Sequence, residues 1–74
     1  MMYIAKDRGY FFALDGWVTE INESVVRFPS REEAELCIKV RKYDLNMIDI
    51  LTEEEGHAWV KEQAEKLKGS DNNL

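Results

Sequence analysis

One histidine, one cysteine and a run of three glutamates are the residues of this chain best suited to chemistry. His57 follows Glu53 and Glu54 by one helical turn. A carboxylate at that spacing can hold an imidazole as a general base. It also makes an ordinary surface ion pair on a helix. No nucleophile stands at a recognisable spacing from His57, so the surface pair is the expected reading. Cys37 falls in the middle of a helical pattern, between apolar neighbours. A reactive thiolate needs an exposed, electropositive setting, so Cys37 is expected in the core. Glu53, Glu54 and Glu55, with Asp49 upstream, raise the question of a cation site. Their spacing matches no calcium loop, which alternates oxygen ligands around a central glycine. Consecutive helical residues point about 100° apart. Capping and solvation explain the triplet, and an acidic surface for a basic partner is the functional alternative. No catalytic residue, metal ligand or cofactor site is expected.

Two other sets of residues bear on binding. Arg27, Arg31, Lys39, Arg41 and Lys42 are the candidates for a nucleic-acid contact, but Glu32, Glu33 and Glu35 interleave with them. A groove for nucleic acid needs a stripe of one sign. The aromatics are more telling. Tyr10 and Phe12 alternate with Phe11 along one strand, so they face opposite sides. Trp17 stands beside a turn, and Trp59 flanks the stripe of the last helix. A small domain cannot easily bury every aromatic, and exposed Tyr and Trp anchor protein interfaces. Tyr10, Trp17 and Trp59, with Glu53, Glu54 and Glu55, are therefore the candidate partner-binding residues.

The elements that must position these residues follow from local signals. A strand at 3–6 closes at Asp7-Arg8-Gly9. A second runs over 10–14. Asp15-Gly16 is a hairpin pair, and 17–21 is the return strand. Residues 25–28 are a further strand or its continuation. Ser30 and Glu33 make a capping box that opens a helix reaching about Tyr43. Its apolar arc holds Ala34, Leu36, Cys37, Ile38 and Val40. Residues 47–51 form a strand. Thr52 and Glu55 make a second capping box. Gly56, Val60, Ala64 and Leu67 form the stripe of the second helix, and Gly69 is its stop. The order is β-β-(β)-α-β-α. The fold class is α+β: an antiparallel sheet of three to four strands with two helices. The first helix lies across one face, and the last covers an edge or that same face. Residues 1–69 make one domain and 70–74 a disordered tail.

Size and charge bound the function. The 74 residues suffice for one domain, with a core too modest to hold a deep substrate pocket. A deep cavity ringed by His57 and two carboxylates would contradict that. The charged fraction of 34% beside 45% apolar residues supports folding over disorder. Residues 1–43 carry seven Lys/Arg and seven Asp/Glu, whereas 44–74 carry three and eight, so the whole net charge of −5 lies in the second part. That part repels anionic surfaces and suits a basic partner. With one cysteine there is no internal disulfide, and no secretory or membrane-spanning segment stands out. A cytoplasmic location is the expectation.

The stretch Gly9-Tyr10-Phe11-Phe12-Ala13-Leu14-Asp15-Gly16-Trp17-Val18, followed by Val26-Arg27-Phe28-Pro29-Ser30-Arg31-Glu32-Glu33-Ala34, resembles a layout of small phage and prophage accessory proteins. There an aromatic hairpin leads into a capped helix. The resemblance covers residues 3–43 and carries over no site residue. It implies a protein that binds a host macromolecule, for example to block a defence or transcription machine. The reading that follows is a non-enzymatic interaction module. The alternatives are a small nucleic-acid-binding regulator and a homo-oligomeric subunit, including a homodimer.

Overall fold

Alternation along two adjacent strands decides the architecture. The computed structural model describes residues 1–72, with side chains through Lys66. β1 (Tyr3–Asp7), β2 (Tyr10–Ala13), β3 (Gly16–Val18) and β4 (Asp49–Thr52) form one antiparallel sheet in the order β3-β2-β1-β4. Successive strand residues face opposite sides. Ala5, Phe12 and Ile50 therefore point to one face, and Ile4 and Phe11 to the other. Both faces are apolar, so both need a cover.

Each face has its own helix. α1 (Arg31–Val40) packs Ala34 and Ile38 onto Ala5, Phe12, Phe28, Ile48 and Ile50. α2 (Glu53–Asn72) lays Trp59 and Val60 against Ile4, Phe11 and Val25 on the opposite side. The molecule is thus two helices on a four-stranded antiparallel sheet, in the order read from the sequence, with the sheet as its middle layer. The expected placement of the last helix on an edge or on the α1 face is corrected. The reason is that β1 and β2 are apolar on both sides, as buried strands are.

Residues 25–28 are not a strand. They cross between β1 and β2 where these part. Tyr3 and Phe28 exchange backbone hydrogen bonds of 2.8 Å, the Val26 N–H donates to Phe12 O at 3.0 Å, and the Leu14 N–H donates to Ser24 O at 2.9 Å. The segment fills the inner edges that the short β1–β2 ladder leaves open. The hairpin also shifts by one residue. Ala13 pairs with Gly16, so Leu14-Asp15 is the loop, and Gly16 takes the positive φ of 131° in the strand. The return strand ends at Val18 rather than 21. The strand expected at 47–51 starts at Asp49, after a 3₁₀ turn at Leu45–Met47.

The helix ends differ from expectation for physical reasons. α1 stops at Val40, three residues early. Lys42 adopts φ 64°, its N–H donates to Lys39 O at 3.0 Å, and the Tyr43 N–H donates to Ile38 O at 3.1 Å. This is a Schellman closure with lysine where glycine is usual. Leu36 and Val40 are 61% and 70% exposed; the apolar arc is wider than one sheet contact can bury. At the start, the Glu33 N–H donates to Ser30 Oγ at 3.2 Å. Among the described residues no bond returns from the Glu33 carboxylate. α2 does not stop at Gly69 but continues to Asn72, into the stretch expected as a tail. Asn73 and Leu74 of that tail, and the side chain of Leu67, lie outside the described residues. Ala64 is exposed: a 20-residue helix of about 30 Å overshoots strands of three to five residues.

Candidate functional site: the aromatic face beside the first helix

α1 lies over β1 and β4. Over the β2–β3 half of the same face, α1 reaches Phe12 alone among the buried strand residues. Aromatic rings cover the rest of it. Phe12, on β2, is buried. Trp17, its cross-strand partner on β3, packs on it with ring centres 5.5 Å apart. Tyr43 completes the group, edge-on to Trp17 at 5.4 Å and to Phe12 at 6.2 Å. The Schellman closure puts it there by turning the chain back at Lys42. The Arg41 guanidinium lies 5.1 Å from the centre of the Phe12 ring. Trp17 is half-buried, Tyr43 is 39% exposed and Tyr10, on the same face of β2, is 50% exposed. Leu36 and Val40, one turn apart on the outer side of α1, are also exposed, but they point away from the sheet that Ala34 and Ile38 face.

The other candidates lie elsewhere. Trp59 sits on the α2 side, edge-on to Phe11 at 5.9 Å. The buried Lys6 ammonium lies 4.4 Å from the centre of its ring and 3.8 Å from Asp49. Trp59 is a lid on the second core, and the structure does not bring it together with Tyr10 and Trp17. Cys37 is half-buried against the α1-side core.

The three glutamates divide their tasks. Glu53 receives Arg27 through both oxygens, Nε to Oε1 at 3.2 Å and Nη2 to Oε2 at 3.4 Å. Arg27 Nη1 donates to Asn22 O and Val25 O at 2.7 and 2.8 Å. His57 Nε2 is 3.6 Å from Glu53 Oε2. The Arg27 hydrogen bond, its charge and His57 hold the Glu53 carboxyl below its ordinary 4.5. Glu55 closes the capping box with Thr52: the Glu55 N–H donates to Thr52 Oγ1 at 3.1 Å, and the Thr52 N–H donates to Glu55 Oε1 at 2.9 Å. Those bonds lower its pKa too, with a smaller contribution from the charge of Arg31. Glu54 alone of the three has no hydrogen bond or ion pair among the described residues. The triplet is mainly a device that starts α2.

Met1, Met2, Glu53, Glu54 and His57 border a hollow of about 450 Å³. It holds His57 and two carboxylates, as a catalytic cavity would. It is open, however. Met1 is 82% exposed, and the His57 and Glu53 side chains are 57% and 35% exposed. Nothing there keeps water from the imidazole, and one of the carboxylates is taken by Arg27. Among the described residues no group of three His, Cys, Asp or Glu side chains is placed to hold a metal.

The five basic residues do not line up. Arg27 is bound into the Glu53 site. Arg31 lies over the Tyr3 ring at 5.7 Å. Arg41 lies over Phe12, and Lys39 and Lys42 are exposed around the end of α1. Leu36 and Val40 were missed as surface residues because helical spacing assigned them to the buried arc, and Tyr43 was read only as the end of the helix. The unusual αL lysine has no local sequence signal. No described helix is long and apolar enough to cross a membrane. No family model, curated protein or solved structure matches this chain.

Proposed function

We propose that this chain is a non-enzymatic interaction module that binds a protein through the aromatic surface of Tyr10, Trp17 and Tyr43. One observation carries the reading: beyond Phe12, where α1 ends its contact with the sheet face, large, partly exposed rings form the cover. Rigid aromatic side chains bind at low entropic cost, and a patch of apolar residues beside an arginine is the composition of an interface centre. The acidic start of α2 supports a partner contact less well, since Glu53 and Glu55 are occupied within the chain. The phage-type layout of residues 3–43 adds the proposal that the partner is a host macromolecule, met in the cytoplasm.

Affinity capture with the tagged chain tests this. Tyr10→Ser alters an exposed side chain, so the fold is retained. It is expected to weaken a captured partner by roughly tenfold, while Glu54→Lys leaves it bound. A partner indifferent to Tyr10→Ser and lost with Glu54→Lys would move the site to the acidic helix. A mobility shift on single or double strands at low salt would favour a nucleic-acid regulator.

A further inference from the structure

Between α1 and β4 lies a groove of about 360 Å³. Ile48 and Ile50 form its apolar floor, and Leu45 stands partly exposed at its rim. α1 borders it with Arg31 and Glu35, both exposed and one helical turn apart. Small-molecule sites run from ~300 to ~1,000 Å³, so this groove suits a small occupant. The two charges on α1 are left over. Neither Arg31 nor Glu35 has an ion-pair partner among the described residues. They do not serve each other, since a cation one turn before a carboxylate is the weaker order on a helix. Asp49 adds no free charge, because its carboxylate turns to Lys6 at 3.8 Å. The edge of β4 is left with a single donor. The Thr52 N–H donates to Glu55 Oε1 at 2.9 Å and the Ile48 N–H to Leu45 O at 3.3 Å. Of the outward amides of β4, Ile50 alone is free among the described residues. One amide makes no ladder, so another strand is not the occupant.

We infer that this groove binds a free aliphatic α-amino acid such as leucine. Such a molecule carries on one carbon the three features that the groove leaves unmatched. Its carboxylate meets the Arg31 guanidinium and the Ile50 N–H. Its ammonium meets Glu35, and its branched side chain lies on Ile48 and Ile50. Hydrogen bonds between ionised groups are about twice as strong as neutral ones, so the two charges orient the ligand while the floor supplies the apolar contact. Residues one turn apart on a helix stand ~5–6 Å from each other at Cβ, so two long side chains there converge on a single small zwitterion. The presence of both signs decides the class. A peptide's carboxyl end satisfies Arg31 and leaves Glu35 unpaired, and its amino end does the reverse. An uncharged apolar ligand leaves both. This groove is separate from Tyr10, Trp17 and Tyr43, so its test does not depend on the proposed partner.

Titration of the isotope-labelled full chain with leucine, followed by amide NMR, tests it, and the same spectra report the fold. A Kd of about 1 mM is expected for so small a ligand with exposed side chains along half of its border. Shifts should appear at the Ile50 and Leu51 amides and not at Trp17. N-acetyl-leucine lacks the ammonium and leucinamide lacks the carboxylate, so each should bind roughly tenfold more weakly than leucine. Glu35→Gln should remove the preference over N-acetyl-leucine, and Arg31→Gln the preference over leucinamide. Should R31Q lose its fold with its contact to Tyr3, the E35Q variant decides alone. No shift at Ile50 up to about 20 mM leucine overturns the inference. So does equal binding of the three ligands, or a preference for leucine over N-acetyl-leucine that E35Q leaves intact.

Discussion

Lys42 shows how one residue sets the shape of the surface. Its φ of 64° closes α1 and swings Tyr43 onto Trp17 and Phe12. The left-handed region is unfavourable for a residue with a Cβ, by about 1 kcal/mol, and glycine enters it freely. Lys42→Gly is therefore expected to raise stability by about 0.5–1 kcal/mol, read as a higher urea midpoint, and Lys42→Val to lower it. A loss of stability with glycine would mean that the lysine side chain contributes more than its backbone strain. Gly56 is the opposite case. A Cβ there would lie 2.5 Å from Ile4 Cδ1 and 3.1 Å from Ile21 Cδ1. Ile4 is fully buried, so its Cδ1 can shift only by repacking the core around it. Gly56→Ala gains about 1 kcal/mol of helix propensity but meets an overpacking cost of about 1–3 kcal/mol. A net loss of roughly 1 kcal/mol is expected. Glu53 and Glu55 fix the response to acid. Their pKa values are lowered in the fold, so the stability they contribute is present above the ordinary 4.5 and is lost as pH falls through the lower folded values. E53Q/E55Q should be less stable at neutral pH, with a flatter decline below about pH 4.5. An unchanged slope in urea melts would show that other carboxylates govern acid unfolding.

Among the elements, α2 divides at the edge of the sheet. Gly56, Trp59 and Val60 pack on Ile4 and Phe11, whereas Lys61, Glu62, Ala64, Glu65 and Lys66 are exposed. Hydrogen exchange should follow this division, with amides near Trp59 protected to the global unfolding energy and those of Glu65 and Lys66 opening locally. Equal protection along the helix would require a cover over its far half, such as a partner chain. This division also marks what was legible from sequence. The order of elements, both helix starts and the Ser30 and Thr52 caps were readable because caps and turns are local chemistry. The two-sided sheet was not read, although Ile4 beside Ala5 and Phe11 beside Phe12 carried its signal. Consecutive apolar residues in a strand mean two covered faces, and so two helices on opposite sides. Of the candidate site, Tyr10 and Trp17 were legible as aromatics in a crowded small fold. Tyr43 was not, since its position depends on a left-handed lysine. The division of labour among Glu53, Glu54 and Glu55 depends on Arg27, 26 residues away, and no local pattern reports a pairing at that distance.

For the whole molecule, the shared sheet ties the two cores together. Ile4 and Ala5 are neighbours in one strand but belong to opposite cores, as do Phe11 and Phe12. Neither layer can open without moving β1 or β2, so the layers should unfold as one unit despite having no common helix. Nature provides a reporter for each: Trp17 on the α1 side and Trp59 on the α2 side. Trp59→Phe leaves fluorescence from the first layer, and Trp17→Phe leaves it from the second. Each variant loses some stability, so the comparison is made within a variant, between its fluorescence and its far-ultraviolet circular dichroism. The two curves should coincide in urea for both variants, as a two-state transition requires. A Trp17 signal lost well before the helical signal would show that the aromatic surface opens on its own. That surface would then be ordered by its partner rather than presented ready-made, and binding would carry the cost of ordering it. Coincident curves would instead make the rings a rigid template, because the strand that carries Phe12 also carries Phe11 and is fixed from both sides.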